Sequence, residues 1–380
     1  MKNRQLRSPR IFIFLLLFTF PLLIRCLWAF GACPVPYLTP DEFLYPFAGK
    51  LYFQGLSSGN FSVFKISPAH PPLSKLITAV FIFMLGPIGF SDIYALRMQS
   101  CIFSALTCVI AYLIASRTNG KMGLLSWALL SLDPLSIQYT VASLDVTSLF
   151  FASTSIYVLL SDRQDSARKY FLSGLFVGLA TLCKYPAFPI LLGAFLLILF
   201  KEGISLGSLM RRVSMVAVCS IAVVLLGNPL FWPPQLIGFP GYLVVLGDTA
   251  GYAVTDASSP VGFVITSLDW FEAALRGWNT PYVLFYLSMF VHGVLIYPLP
   301  LFQSSYLPWF LLGSLIDRVK RKAVFDDLSF KSLLWFSPGF ILFWLLAKSQ
   351  AEPYYGIWLQ PALAIFSSSF VANVWRYLKR

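Results

Sequence analysis

The chain has 380 residues, 58% of them hydrophobic and 12% charged, with a net charge of +12 and a mean hydropathy of +0.74. That balance excludes a soluble globular domain and defines a polytopic membrane protein. Lys and Arg gather in short tracts between apolar runs, the positive-inside pattern, so the basic charge speaks for membrane topology and no nucleic-acid partner is expected.

The chain opens with MKNRQLRSPR and an apolar run from Ile11 to Leu23, which has the shape of a signal peptide, and FGAC at 30–33 faintly resembles a lipoprotein cleavage box. The run continues through Arg25 to about Phe30, giving the ~20 residues a spanning helix needs, so a retained anchor is expected. Further apolar runs suited to helices fall near residues 73–90, 97–115, 122–139, 144–160, 170–184, 186–200, 213–231, 282–297, 300–316, 332–347 and 354–372. Basic tracts at 2–10, 117–121, 163–169, 201–212, 318–322 and 376–380 should all be cytoplasmic. If 73–90 crossed the membrane, the tracts at 117–121 and 163–169 would be forced outside. Its firm part, Leu73 to Leu85, is also short at ~20 Å of helix against a hydrocarbon core of ~30 Å. It is therefore expected to lie on the outer surface, with Leu73, Leu76, Ile77, Val80 and Met84 as its apolar stripe. Parity demotes 282–297 in the same way.

The predicted fold class is an all-α polytopic bundle of about ten transmembrane helices with surface helices in the first outer loop. Both termini face the cytoplasm, and the large outer segments are 31–96 and 232–298. One membrane domain covering 1–380 suffices, with no internal repeat. The cysteines at 26, 33, 101, 108, 183 and 219 show no CxxC and no neighbouring His, so core packing is expected of them.

Ionisable residues then collect at the outer turns. TPDEFLYPFAGKLYFQG at 39–55 carries Asp41 and Glu42; Thr39-Pro40-Asp41-Glu42 has the form of a capping box, and Leu44, Phe47, Ala48 and Leu51 share one helical face. SPAHPPLSKL at 67–76 places His70 before a rigid Pro71-Pro72 that starts the next helix. Arg97, in YALRMQS, opens a span, where it either snorkels to lipid phosphates or lines a wet cavity. Asp145, in LDPLSIQYTVASLD, is a helix cap or a ligand, and Asp133-Pro134 is turn chemistry. Lys184 follows in LATLCKYP, and Lys348, Tyr354 and Tyr355 in AKSQAEPYYGIWLQP. Turns far apart in sequence thus deliver acids and cations to one side of the bundle.

PDE in the first outer loop, then HPPLSK, LRMQS, LDP followed by an Asp, GLATLCKYP, TPYVLFY and PYYGIWLQPALA together resemble the GT-C glycosyltransferases. Among these they look most like the protein O-mannosyltransferases and the aminoarabinose (lipid A sugar) transferases. The resemblance runs from about residue 11 to 372. It implies that Asp41 is the catalytic base and that His70 meets the polyprenyl phosphate.

Such a reaction suits the inventory. A phosphate leaving group needs no protonating acid, so one carboxylate to activate the acceptor hydroxyl, with cations for the departing phosphate, is the expected set. His70, Arg97 and Lys348 are expected to hold the phosphate, with His70 protonated. Glu42 and Asp145 are left to bind sugar hydroxyls or assist a divalent metal, although no set with metal-ligand spacing occurs; Lys184, Tyr354 and Tyr355 complete the substrate-binding candidates. The donor is then a dolichyl or undecaprenyl phosphate sugar, and the acceptor is a protein, lipid or glycan hydroxyl. The competing readings are a transporter or flippase that binds a lipid-linked sugar without chemistry, and a non-catalytic scaffold. Transporters tend to show inverted repeats and mid-membrane charges or broken helices; here the candidate functional charges sit at the outer boundary and no repeat is visible.

Overall fold

The computed structural model describes residues 8–33, 41–68, 70–117, 120–133, 143–161, 166–187, 190–199 and 205–244, with short stretches between 136 and 141 and several positions between 358 and 368. Among the described residues there are helices and turns and no strand, because in hydrocarbon a helix satisfies its backbone polar groups within itself. Helix α1 (Ser8–Cys26) continues into a π-helical turn, Leu27–Ala32. Phe12–Ala32 is long and apolar enough to cross a membrane, as are Asp92–Ala115 and Leu206–Gly227. The chain is an integral membrane protein.

Arg25 lies inside the first of these spans and is fully buried. Its guanidinium donates to Ser104 Oγ, to Ser136 Oγ at 2.9 Å, and to the carbonyls of Pro21, Leu130 and Ser131. A charge at that depth survives because its donors are matched by neighbouring helices.

In chain order there follow α2 (Asp41–Ser58), a 3-10 turn (Phe61–Lys65), α3 (Leu73–Leu85), α4 (Asp92–Ala115), α5 (Gly120–Ser131), α6 (Ser143–Leu159), α7 (Ala167–Cys183), α8 (Ile190–Leu199) and α9 (Leu206–Gly227). Helix α4 sits centrally, packed on α1, α3, α5 and α6; α6 packs on α7, α7 on α9, and α8 beside α9. Gly174 and Gly178, one turn apart on α7, let α9 approach closely: a Cβ at 174 would stand 2.5 Å from the Val216 carbonyl oxygen. This is small-residue packing of the kind membrane helices use in place of a hydrophobic drive.

Helices α2 and α3 form a hairpin leaning on α4. Helix α3 has the expected bounds, set by Pro71-Pro72 before it and Gly86-Pro87 after it. Its expected stripe of Leu73, Leu76, Ile77, Val80 and Met84 is half-exposed or exposed, while Ser74, Lys75 and Thr78 are buried. A polar seam explains that orientation. Gln99 of α4 donates to Ser74 Oγ at 3.0 Å and to Thr147 Oγ1 of α6 at 3.0 Å, and accepts from Thr78 Oγ1 at 2.6 Å.

On α2 the residues that pack inward are Glu42, Tyr45, Ala48, Gly49 and Tyr52, while Phe43 and Phe47 are exposed; in membrane proteins polar and small side chains pack inward, the reverse of a soluble helix. Two expectations need correction. The run 122–139 does not form one helix. Helix α5 stops at Ser131 after 12 residues, about 18 Å, and buried Asp133 accepts from the Ser136 amide at 2.6 Å in the turn that follows. The run at 213–231 begins at Leu206, because Ser205 caps the helix and Arg212 is carried over the Tyr170 ring. The runs at 282–297, 300–316 and 332–347 lie outside the described residues.

Candidate active site

Helix α2 begins at Asp41. Thr39 and Pro40, the start of the expected capping box, lie outside the described residues, and Glu42 takes another partner. It meets Arg97, in the second turn of α4, as a bidentate pair: Nε to Oε1 at 2.9 Å and Nη2 to Oε2 at 3.1 Å. Arg97 Nη1 donates to the carbonyls of Ala29 at 2.6 Å and Cys33 at 3.1 Å, in and just past the π-helical turn. Arg97 is 0% and Glu42 4% exposed, so this planar fork is a desolvated clamp joining the end of α1, the start of α2 and α4. Neither residue snorkels to the surface.

The turn after Glu42 brings Tyr45, whose ring stands edge-on to His70 at 5.6 Å between centroids. Beneath His70 lies Lys75, fully buried on the inward face of α3. Its ammonium donates to the His70 carbonyl at 2.7 Å, the Ser67 carbonyl at 2.8 Å and Ser67 Oγ at 3.2 Å, and faces the Tyr52 ring at 5.2 Å. The Tyr52 hydroxyl bonds the Ile66 carbonyl. Ile66, Ser67 and His70 therefore close over a buried cation, and Ser67 adopts φ 57 to do so, a left-handed conformation that persists because the ammonium's bonds over-determine it.

His70 itself is half-buried. Desolvation, then the charges of Lys184 and Lys75, hold its pKa well below the usual 6.5. These neighbours favour the neutral imidazole, and the expected protonation of His70 belongs to a site that holds a phosphate.

Asp145, in the first turn of α6, pairs with Lys184 at the end of α7 at 2.5 Å, and both are buried. The other carboxylate oxygen of Asp145 accepts from Trp358 Nε1 at 3.0 Å. Three segments far apart in sequence meet at this carboxylate, and the Lys184 charge reaches His70.

The structure thus draws Glu42, Arg97, His70, Asp145 and Lys184 into the packing around the starts of α2, α4 and α6 and the end of α7. Asp41 is placed by its backbone, one residue from the clamp and one turn before Tyr45. Lys348, Tyr354 and Tyr355 lie outside the described residues. Sequence reasoning passed over Lys75, Tyr45, Tyr52 and Trp358. Lys75 carried a readable signal: it is the one ionisable residue in LSKLITAVFIFML, and a charge in an apolar helix asks for a partner. The aromatics carried none, since aromatic residues abound throughout the chain.

Part of the chain matches a known protein family, and its fold is similar to that of solved structures. Residues 69–232, the stretch that contains His70, Arg97, Asp145 and Lys184, match the model of the family described as dolichyl-phosphate-mannose-protein mannosyltransferase. Among solved structures, the chain is similar to ArnT from Cupriavidus metallidurans bound to undecaprenyl phosphate, at 14% identity over 95% of this chain and 60% of that one, TM-score 0.53. It is also similar to the apo oligosaccharyltransferase of Archaeoglobus fulgidus, at 13% identity over 96% of this chain and 51% of that one, TM-score 0.50. The chain therefore spans a little over half the length of these structures, and the likeness is one of fold. No curated protein sequence matches it.

Proposed function

We propose that the chain is an inverting glycosyltransferase that moves a sugar from a polyprenyl phosphate donor to an acceptor hydroxyl at the extracytoplasmic face of the membrane. The observation that carries this reading is the gathering of ionisable groups from sequence-distant helices at the start of α2, the helix that Asp41 opens. The family match over residues 69–232 supports it, as does the ArnT fold, which in that protein holds undecaprenyl phosphate.

In the proposed step the acceptor oxygen attacks C1 of the sugar as its proton passes to Asp41. The C1–O bond to phosphate breaks on the opposite face, and the electron pair leaves on the phosphate. His70, held toward its neutral form by Lys75 and Lys184, takes up a proton from solvent as the C1–O bond breaks and the monoanionic phosphodiester becomes a phosphate dianion, because the added negative charge offsets the charges that hold it neutral. Arg97 is then a positioning residue, since its donors are engaged by Glu42 and two carbonyls. Lys348 remains a phosphate ligand of the proposal, Tyr354 and Tyr355 sugar contacts. Holding both reactants at one membrane interface supplies much of the rate through orientation. The acceptor is a hydroxyl of a protein, lipid or glycan.

The test incubates purified protein with a panel of polyprenyl phosphate sugars and follows release of free polyprenyl phosphate. Asp41→Asn is expected to abolish release while leaving the protein inserted and folded; turnover like that of the wild type removes Asp41 from the mechanism. Sugar that crosses the bilayer still attached to its lipid overturns the assignment of transfer.

A further inference from the structure

We propose that Asn60 is itself an acceptor of an N-linked glycan, a modification site at the water-facing tip of the α2–α3 hairpin; this rests on the outward orientation proposed above for residues 31–96. Asn60-Phe61-Ser62 has the required pattern of asparagine, a residue other than proline, and a hydroxyl residue. The pattern alone occurs by chance, and the structure adds three independent features.

The first is exposure. Helix α2 presents Phe53 and Leu56 outward near its end, and then its surface turns polar, with Ser57, Ser58, Gly59, Asn60 and Ser62 all exposed. Gly59, at φ 72, turns the chain away from the helix and offers Asn60 at the bend.

The second is the division of labour within the amide. Asn60 Oδ1 accepts from the Ser62 amide at 3.2 Å and from Ser62 Oγ at 2.6 Å, capping the 3-10 turn that follows. Nδ2 makes no hydrogen bond among the described residues. Glycosylation substitutes Nδ2 and leaves Oδ1 an acceptor, so the cap and the turn persist under the modification.

The third is support from below. Phe64 is buried and its ring stacks on Tyr52 at 4.5 Å, while Phe61 packs edge-on against Trp232 at 5.2 Å. The side chains flanking Asn60 anchor the loop, so added bulk at the amide meets solvent and not the core.

The donor is a polyprenyl-phosphate-linked or polyprenyl-pyrophosphate-linked glycan, and the catalyst is a separate membrane transferase. The bond from Nδ2 to C1 of the sugar forms, the C1–O bond to the lipid phosphate breaks, the phosphate leaves with the electron pair, and one amide proton passes to a base of that enzyme.

Full-length protein taken from its native membrane is digested with trypsin, and the peptide between Lys50 and Lys65 is weighed. The expected result is a glycan mass on Leu51–Lys65, lost in Asn60→Gln and Ser62→Ala and kept in Ser62→Thr. Recovery of the wild-type peptide only in unmodified form overturns the proposal. A Ser58→Cys variant, probed in intact cells with an impermeant maleimide, separates the two readings. Labelling without a glycan sinks the modification and leaves the outward orientation standing. Absence of labelling until the membrane is permeabilised sinks both.

Discussion

The Glu42–Arg97 clamp makes the most demanding prediction. Arg97 is 0% exposed, and its bonds include the bidentate pair with Glu42 and those to the carbonyls of Ala29 and Cys33. Glu42→Ala leaves the two carbonyl bonds but takes the bidentate carboxylate away from a buried guanidinium. Breaking a buried pair by removing one partner costs about 3–5 kcal/mol, and about 1.4 kcal/mol is a factor of ten in equilibrium, so the folding equilibrium constant shifts by about two to nearly four decades. Arg97→Met costs a similar amount, by stranding the Glu42 carboxylate. The double variant removes both charges and is expected to recover most of the loss, because a buried pair replaced as a whole by apolar groups is often near neutral. The assay is reversible unfolding of the purified protein in mixed detergent micelles, read as a double-mutant cycle. A loss of under about 1 kcal/mol for Glu42→Ala would refute the clamp; so would a double variant whose loss equals the sum of the singles.

Two other groups give sharp expectations. Lys75→Met removes the ammonium that the carbonyls of Ser67 and His70 accept from. Amide exchange in residues 66–70 is expected to rise with little change elsewhere, since the buried carbonyls lose their donor, and unchanged exchange would show that Lys75 does not hold the loop. His70 has a folded pKa well below 6.5, so as pH falls through that value the unfolded chain binds a proton that the folded chain does not. Stability is therefore full above 6.5 and declines on acidification, the sign for a depressed base. His70→Gln should flatten that acid limb, and an acid limb identical to that of the wild type assigns it to other groups.

How far the chain could be read without coordinates varies from element to element. Helix α3 was legible to the residue, because Pro-Pro and Gly-Pro are local steric instructions that act on the backbone beside them. The inward face of α2 was not, because Phe43 and Phe47 stay exposed while Glu42, Gly49 and Tyr52 point into the bundle, and hydropathy does not say which face packs inward. In the candidate site, Glu42, Arg97, Asp145 and Lys184 stood out as charges beside apolar runs, yet nothing local showed that they would pair with one another.

The amino-acid sequence by itself determined a helical membrane chain, the bounds of α3, and the placing of Glu42, Arg97, Asp145 and Lys184 near helix ends, since these follow from transfer energies and backbone sterics within a few residues. Only the tertiary structure decided the pairings: Glu42 with Arg97 across 55 positions, Asp145 with Lys184 across 39, and Lys75 beneath His70. Those depend on the depth and rotation of whole helices, which are set by packing such as Gly174 and Gly178 against α9 and by seams such as Gln99 to Ser74 and Thr147. The energy of a buried charge is fixed by what stands within ~4 Å of it, and that neighbour comes from another helix.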